Sequence, residues 1–358
     1  MFAVIVKPSI TQQQVEILAQ RLTQAVAPVY LLGGERVFVT ASIGISLYPE
    51  QAENMEILIR NADIAMYQAK EQGKNGYCIY HPSSSDHIST RFRLENDLHE
   101  ALASNQLSLH YQPLYSADNL ELSGFEALLR WNHPVMGYIS PGEFIPYMES
   151  TELIFPIGEW VLEKAIQQLV EWKRIKPDLY VSINLSGSQL KCETSIKRIL
   201  SALDESPLNQ GDVELELTES SLLETSDTIR NRMQRLLEAG FQLALDDFGT
   251  GYSSLSYLHN FPLTRIKIDR AFAKTLTLNP DSHAMVRSIV AIGEALNLSI
   301  TAEGIETEEQ LKIISRLGVD HLQGFYLGKP MPEENALAVI MQHAKMRCFD
   351  KRMVKKQA

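Results

Sequence analysis

Short apolar runs rich in β-branched residues recur along most of the chain from Leu107 onward. They are Leu107–Tyr115, Leu122–Trp131, Tyr180–Leu185, Val213–Leu217, Phe241–Leu245, Arg265–Ile268, Leu298–Ala302 and Val319–Leu322. Amphipathic stretches such as Glu159–Lys176 and Thr228–Ala239 lie between most of them, with the spacing of helices. Eight strands alternating with helices over about 250 residues predict a (β/α)8 barrel, an α/β fold. The first two runs are joined by only a handful of residues around Ser116-Ala117-Asp118-Asn119. A parallel crossover needs about a dozen residues or more, so this junction predicts a hairpin and an antiparallel first strand.

Upstream, the pattern is that of a smaller α/β piece. Phe2–Val6 reads as a strand, and Gln12–Val26 as a helix with Val15, Leu18, Leu22 and Val26 on one face. Val37–Tyr48 alternates like a strand. Asn54–Gln72 reads as a helix with a stripe of Leu58, Ala62, Ala65, Met66 and Ala69, and Gly73 stands at the cap position. Gly76–Tyr80 supplies a last short strand. His81-Pro82-Ser83-Ser84-Ser85-Asp86 is small, polar and turn-prone, and a charged helix from about Ile88 to Ser104 follows. The expected organisation is an N-terminal domain at 1–81, a linker at 82–90, a barrel at 91–345 and a basic tail at 346–358.

Composition narrows the class. At 358 residues the chain has room for about two domains. A hydrophobic fraction of 45% excludes disorder. Cys78, Cys192 and Cys348 are too few and too scattered for a disulfide scaffold. Lys and Arg number 33 against 44 Asp and Glu, a net charge of −11. That balance argues against binding a nucleic-acid polymer or a membrane by bulk charge, and only Lys345–Lys356 is basic. No run approaches the ~18 apolar residues of a membrane span, and Met1–Val6 lacks the features of a signal peptide. A cytoplasmic location is expected, compatible with a tether further upstream.

The chemistry collects where the strands end, as it does in barrels of this type. Glu126 and Arg130 fall on the second strand, Asn184 on the third, Glu216 and Glu219 on the fourth. The fifth ends in Asp246-Asp247, the sixth carries Lys267 and Asp269, the seventh ends in Glu303 and Glu306, and the eighth in Gln323. Any one of these acids alone reads as a helix cap or a surface charge. Asp247-Phe248-Gly249-Thr250-Gly251 alone reads as a tight loop. Recurrence at the barrel period predicts convergence on one mouth. Clustered carboxylates repel unless a cation joins them. The oxygen-only set of Glu126, Asn184, Glu216, Asp246 and Asp247 favours Mg²⁺ or Mn²⁺ over zinc. Two ions with Asp246 between them would suit attack on a phosphodiester, with Lys267 orienting the water and Arg130 gripping a phosphate oxygen.

Glu126-Ala127-Leu128-Leu129-Arg130 resembles the EAL signature of bacterial cyclic di-GMP phosphodiesterases. The similarity runs through Tyr111-Gln112-Pro113, Asn184-Leu185-Ser186, Glu216-Leu217-Thr218-Glu219, Asp246–Gly251, Lys267-Ile268-Asp269, Ala302–Glu306 and Gln323-Gly324-Phe325. It covers about Arg91 to Met341. The resemblance implies a barrel with an antiparallel first strand and hydrolysis of cyclic di-GMP to linear pGpG. It implies that Glu126, Asn184, Glu216 and Asp246 hold one ion, and Asp246 and Asp247 a second. Glu303, beside Lys267, is implied as the general base or the metal-side acid acting on the water, with Lys267 and Asp246 also counted as catalytic. Gln112, Leu128, Arg130, Asp269 and Gln323 are implied as substrate contacts. Glu219 is implied to anchor the Asp247–Leu255 loop, with Glu306 counted beside it, and Glu306 and Gln323 are implied to complete the site wall. The complete acid set favours an enzyme over a non-catalytic cyclic di-GMP receptor, or over a metallohydrolase of another phosphodiester. A homodimer through the EAL domain is compatible with the resemblance.

Residues 37–80 resemble the C-terminal half of a GGDEF domain, through Val39–Pro49, Asn61–Lys70 and Gly73-Lys74-Asn75-Gly76. Gly33-Gly34-Glu35 lies too close to the Ser42-Ile43-Gly44-Ile45 strand to be the cyclase signature and reads as an ordinary loop. In that register Phe2 would end the signature, so cyclase activity is not expected. A half domain leaves sheet edges unpaired. Residues 1–80 are therefore expected to pack on a partner or to be less stable than the barrel.

Overall fold

The computed structural model describes residues 3–6, 11–26, 30–32, 35–37, 40–71, 75–81, 97–222, 226–249, 258, 260–276 and 280–344. The chain divides into two compact units, Met1–Leu98 and His99–Ala358. The expected linker at 82–90, the tail at 346–358 and the Gly33-Gly34 loop lie outside the described residues.

In the first unit, helix α1 (Gln12–Val26) and helix α2 (Met55–Glu71) form where the apolar stripes predict them. Strands β1 (Tyr30–Leu32) and β2 (Glu35–Val37) make an antiparallel pair. Strands β3 (Ile43–Ile45) and β4 (Tyr77–Ile79) run parallel. Two expectations are corrected here. Ala3–Val6 carries no strand, and Val4 and Ile5 are exposed, so no neighbouring strand supplies pairing for it among the described residues. Of the long strand expected over Val37–Tyr48, the described residues carry strand only at Val37, the end of β2, and at β3. Gly44 explains the close packing there. A Cβ at this position would lie 1.9 Å from the Ala62 carbonyl oxygen, so only glycine lets the strand press against the backbone of α2.

The second unit is a closed eight-stranded barrel. Its strands are β5 (Leu107–Ser116), β6 (Leu122–His133), β8 (Tyr180–Asn184), β9 (Val213–Thr218), β10 (Gln242–Phe248), β11 (Arg265–Ile268), β12 (Ser299–Ala302) and β13 (His321–Leu322). Neighbours from β6 through β13 pair in parallel. β5 is antiparallel to both β6 and β13, as the short junction predicts. An additional strand, β7 (Gly137–Ile139), pairs with the far end of β6.

Helices α3 (Ile154–Lys173), α4 (Glu193–Asp204), α5 (Glu219–Leu222), α6 (Asp227–Ala239), α7 (Arg270–Thr275), α8 (Pro280–Leu296) and α9 (Glu308–Ile314) belong to this unit. Each longer helix buries one face. In α3 that face is Ile157, Val161, Ala165, Ile166, Leu169 and Trp172. Ser226 caps α6 by accepting from the Ile229 N–H, and Gly240 ends it with φ +108°. Among the described residues no helix is long and apolar enough to cross a membrane.

Candidate active site

The parallel register sets the height of each side chain in the barrel. Glu126 stands opposite Ser182, Asn184 opposite Glu216, and Glu216 opposite Ala244. Lys267 stands opposite Thr301. Alternation then turns Glu126, Asn184, Glu216, Asp246 and Lys267 to the same face, the barrel interior. Glu303 and Gln323 follow directly on β12 and β13.

Lys267 is the centre of this ring. Its side chain is 1% exposed, and its Nζ lies 2.6 Å from both Glu216 Oε1 and Glu303 Oε1. Glu126 Oε2 and Asp246 Oδ1 are each 3.7 Å away. Burial works against the ammonium charge, but Asp246, Glu126, Glu216 and Glu303 overcome it and hold the pKa well above the usual lysine range. Glu126 also accepts hydrogen bonds from Asn184 Nδ2 (3.0 Å) and Gln323 Nε2 (2.6 Å). Its proton affinity is lowered even though burial alone would raise it, because Lys267 and these donors favour the anion. Glu216 is pushed the other way, by burial and by the Glu126 charge. Burial, with Asp246 and Glu126 beyond it, raises Glu303 to about 8 in the metal-free protein.

The other expected residues sit around this ring in different ways. Gln112 pairs with Glu126 across β5 and β6, and its amide donates to the Gly328 carbonyl (3.1 Å). Leu128 and Arg130 share the Glu126 face of β6. They lie beyond Ala127, the last residue paired with β8, and Arg130 Nη1 donates to the Leu129 carbonyl. Glu126 is thus mid-strand rather than at the strand's exit, because β6 continues past the barrel to meet β7. Asp247 adopts φ +56°, a left-handed conformation that Asp tolerates better than most residues. Burial and the charges of Asp246 and Asp269 raise its pKa to about 6. Asp269 caps α7 by accepting from the Ala271 N–H (2.8 Å). Glu219 opens α5 and is half-buried. Glu306 is exposed, and its backbone N–H donates to Gln310 Oε1. Residues 250–257 of the loop these two acids were expected to anchor lie outside the described residues.

The donor set suits a hard cation. Every candidate ligand offers oxygen. Glu216 Oε2, Asp246 Oδ1 and Gln323 Oε1 are buried without a hydrogen-bond partner, an arrangement that native interiors rarely leave unanswered. Four carboxylates face one ammonium, so negative charge is in excess. Among the described residues no three Asp, Glu, His or Cys side chains form an ion-holding group on their own. The Asn184 amide and the spare Glu216 and Asp246 oxygens are what make the set fit.

A second polar tier lies one step down the same strands. Arg265 Nε meets Glu214 Oε2 at 2.6 Å, and its Nη1 reaches Thr301 Oγ1 (3.1 Å) and His321 Nδ1 (2.7 Å). Its guanidinium also lies 5.3 Å from the Tyr180 ring centre. Gly124 makes room for that ring, since a Cβ there would fall 2.8 Å from Tyr180 Cδ1. The sequence reading missed this tier. Its signal is present: Glu214, Arg265, Thr301 and His321 each precede a site residue by two positions.

His321 gives the tier a pH signature. Burial and the Arg265 charge lower its pKa to about 4, against a smaller opposing effect of Asp320. The native state therefore binds fewer protons than the unfolded chain between about pH 4 and 6.5, and stability is lost as pH falls through that window. Urea unfolding at pH 7.5 and pH 5 is expected to show a loss about 2 kcal/mol larger in the parent protein than in His321→Asn. Equal losses in the two proteins would contradict this.

Comparison with known proteins adds an independent line. The family model described as EAL domain matches residues 95–330, and that described as diguanylate cyclase, GGDEF domain, matches residues 1–76. The chain is 43% identical over 324 residues to the bifunctional diguanylate cyclase/cyclic di-GMP phosphodiesterase MucR of Pseudomonas aeruginosa, covering 90% of this chain and 47% of that protein. It is 37% identical over 322 residues to the cyclic di-GMP phosphodiesterase PdeR of Escherichia coli, covering 90% and 49%. The solved structure titled PaMucR phosphodiesterase, c-di-GMP complex, matches with TM-score 0.65 and 44% identity, over 68% of this chain and 99% of that one. The chain spans about half the length of the curated relatives it matches.

Proposed function

This chain belongs to the EAL-domain family, and from that membership we propose that it hydrolyses cyclic di-GMP to linear pGpG. The observation that carries the reading is the ring of four buried or half-buried carboxylates around Lys267 with acceptor oxygens left over. MucR and PdeR, named for this activity, and the cyclic di-GMP complex of PaMucR support the substrate.

Two ions of Mg²⁺ or Mn²⁺, when bound, would supply Lewis acidity toward the phosphate and make water a better nucleophile at neutral pH. Glu126, Asn184, Glu216 and Asp246 would hold one of them, and Asp246 with Asp247 the other. Glu303 receives the proton of the attacking water on its carboxylate, and Lys267 steadies that carboxylate from 2.6 Å. Asp246 would serve both ions, and its Oδ1 lies 3.7 Å from Lys267 Nζ. Arg130 grips a phosphate oxygen, and Leu128, Gln112, Asp269 and Gln323 line the substrate. Gln323 also fixes Glu126 through its amide. A homodimer through the barrel and a cytoplasmic setting accompany this reading.

The test is chromatography of the products from cyclic di-GMP with Mn²⁺. Formation of pGpG is expected, with loss on chelation and a fall of about 10²-fold or more in Glu126→Gln. Tight binding of cyclic di-GMP with no product after metal addition would replace the hydrolase by a receptor.

A further inference from the structure

The inward tiers of barrels like this one are ordinarily filled by branched aliphatic side chains. Here the tier beneath the acids is charged, and one residue links the two tiers. Ser182 is fully buried, and its Oγ lies 2.5 Å from Glu216 Oε1 and 3.1 Å from Glu214 Oε1. A serine hydroxyl has one proton to give. The contact to Glu216 is the shorter by 0.6 Å, and Glu214 already has Arg265 Nε at 2.6 Å on its other oxygen. Arg265 is itself held by Thr301, His321 and the Tyr180 ring, so the pair cannot easily turn away. The Ser182 proton is therefore committed to Glu216. Lys267 Nζ contacts the same atom, Glu216 Oε1, at 2.6 Å. Both donors converge on one oxygen, and Glu216 Oε2 is left buried with no partner.

We propose that Ser182, backed by the Glu214–Arg265 pair, is a positioning residue that ties down one oxygen of Glu216 and leaves the other for the divalent cation. The inference rests on the hydrolase reading above. Outer residues that orient a metal ligand typically contribute about 10–100-fold to affinity or activity.

The experiment is titration of the full chain with Mn²⁺ alone, followed calorimetrically, for the parent protein, Ser182→Ala, Ser182→Thr and Glu216→Gln. Ser182→Ala is expected to bind Mn²⁺ about tenfold more weakly. Its melting temperature in chelator should match the parent's. Its deficit in kcat should close at saturating Mn²⁺, and Ser182→Thr should restore the affinity. Mere loss of packing would lower the melting temperature and leave the metal response unchanged. If Ser182→Ala does not fold, Ser182→Cys, of nearly the same volume and with a weak donor, is expected to show a several-fold loss instead. Mn²⁺ affinity in the folded variant within twofold of the parent's, while Glu216→Gln loses binding, overturns this inference alone. Failure of the parent protein itself to bind Mn²⁺ overturns the hydrolase reading.

Discussion

Replacing Glu303 with glutamine is expected to lower kcat for cyclic di-GMP by about 10²–10⁴-fold, the usual contribution of a general base. KM should move by only a few fold. The argument begins with exposure. Among the acids around Lys267, side-chain exposure is 0% at Glu216, 10% at Glu126, 15% at Asp246 and 20% at Glu303. Glu303 is the one of the four best placed to meet a water arriving from the mouth. It also has the proton affinity for the task, since burial and the neighbouring carboxylates raise it to about 8 in the metal-free protein. Glutamine keeps the shape and removes the proton acceptor. It leaves Lys267 its contact with Glu216 at 2.6 Å, so the fold should not suffer. A melting temperature in chelator close to the parent's is expected, because Glu303, raised to about 8, is already largely protonated near neutral pH and glutamine keeps its shape. Single-turnover measurements with pGpG quantified by chromatography would separate chemistry from release. A kcat within tenfold of the parent's would remove Glu303 from the role of base.

Much of this site was legible in the sequence because the barrel repeats one signal. Each strand announces itself by a β-branched run, and most of the candidate site residues stand near the end of one, Glu126 within β6 being an exception. The antiparallel β5 followed from the short junction before β6, which no crossover could span. What the sequence reading missed has physical reasons. β7 is three residues long, and its pairing is owed to the overlong β6, so no run of its own marks it. Ala3–Val6 has a strand's composition but no described partner, and composition alone does not make a strand. The lower tier is disguised by its charge. Arg265 and Glu214 look like surface charges entering a strand, although alternation places them on the face of Lys267 and Glu216. The central position of Lys267 is a product of closure. Only the circular order of strands brings β6, β9, β10 and β12 side chains around one ammonium.

Replacing Lys267 with methionine should have the largest combined effect on stability and turnover. Methionine matches the lysine stem in length and can fill a slot that is 1% exposed. What it removes is the charge. Glu216 and Glu303 each lose an ammonium at 2.6 Å, and no other cation is described within their reach. Breaking a buried pair from one side costs about 3–5 kcal/mol, because the partner's charge stays behind. Against a total stability of about 5–15 kcal/mol, the metal-free variant should be markedly easier to unfold in urea above about pH 8, where Glu303 is ionised. The sign of the pH dependence follows from the groups involved. Lys267 has a folded pKa raised above its ordinary 10.5, so its contribution in the parent is complete below that value and is lost only as pH climbs through the folded pKa. Between acid and neutral pH the difference between parent and variant is therefore governed by the carboxylates. Glu216 and Glu303 have raised proton affinities, so acidification neutralises them early and the stability gap should narrow as pH falls. Mn²⁺ should narrow it at alkaline pH by replacing the missing positive charge. Turnover should still fall by about 10²–10³-fold, the cost of removing one fixed electrostatic partner at the reacting centre. Lys267→Arg should not rescue it, because a planar guanidinium does not fit a point-charge slot shared by four carboxylates. A Lys267→Met protein whose urea midpoint in chelator above about pH 8 equals the parent's would show that the acids tolerate one another without the ammonium. The balance of charge on which the metal assignment stands would then have to be abandoned.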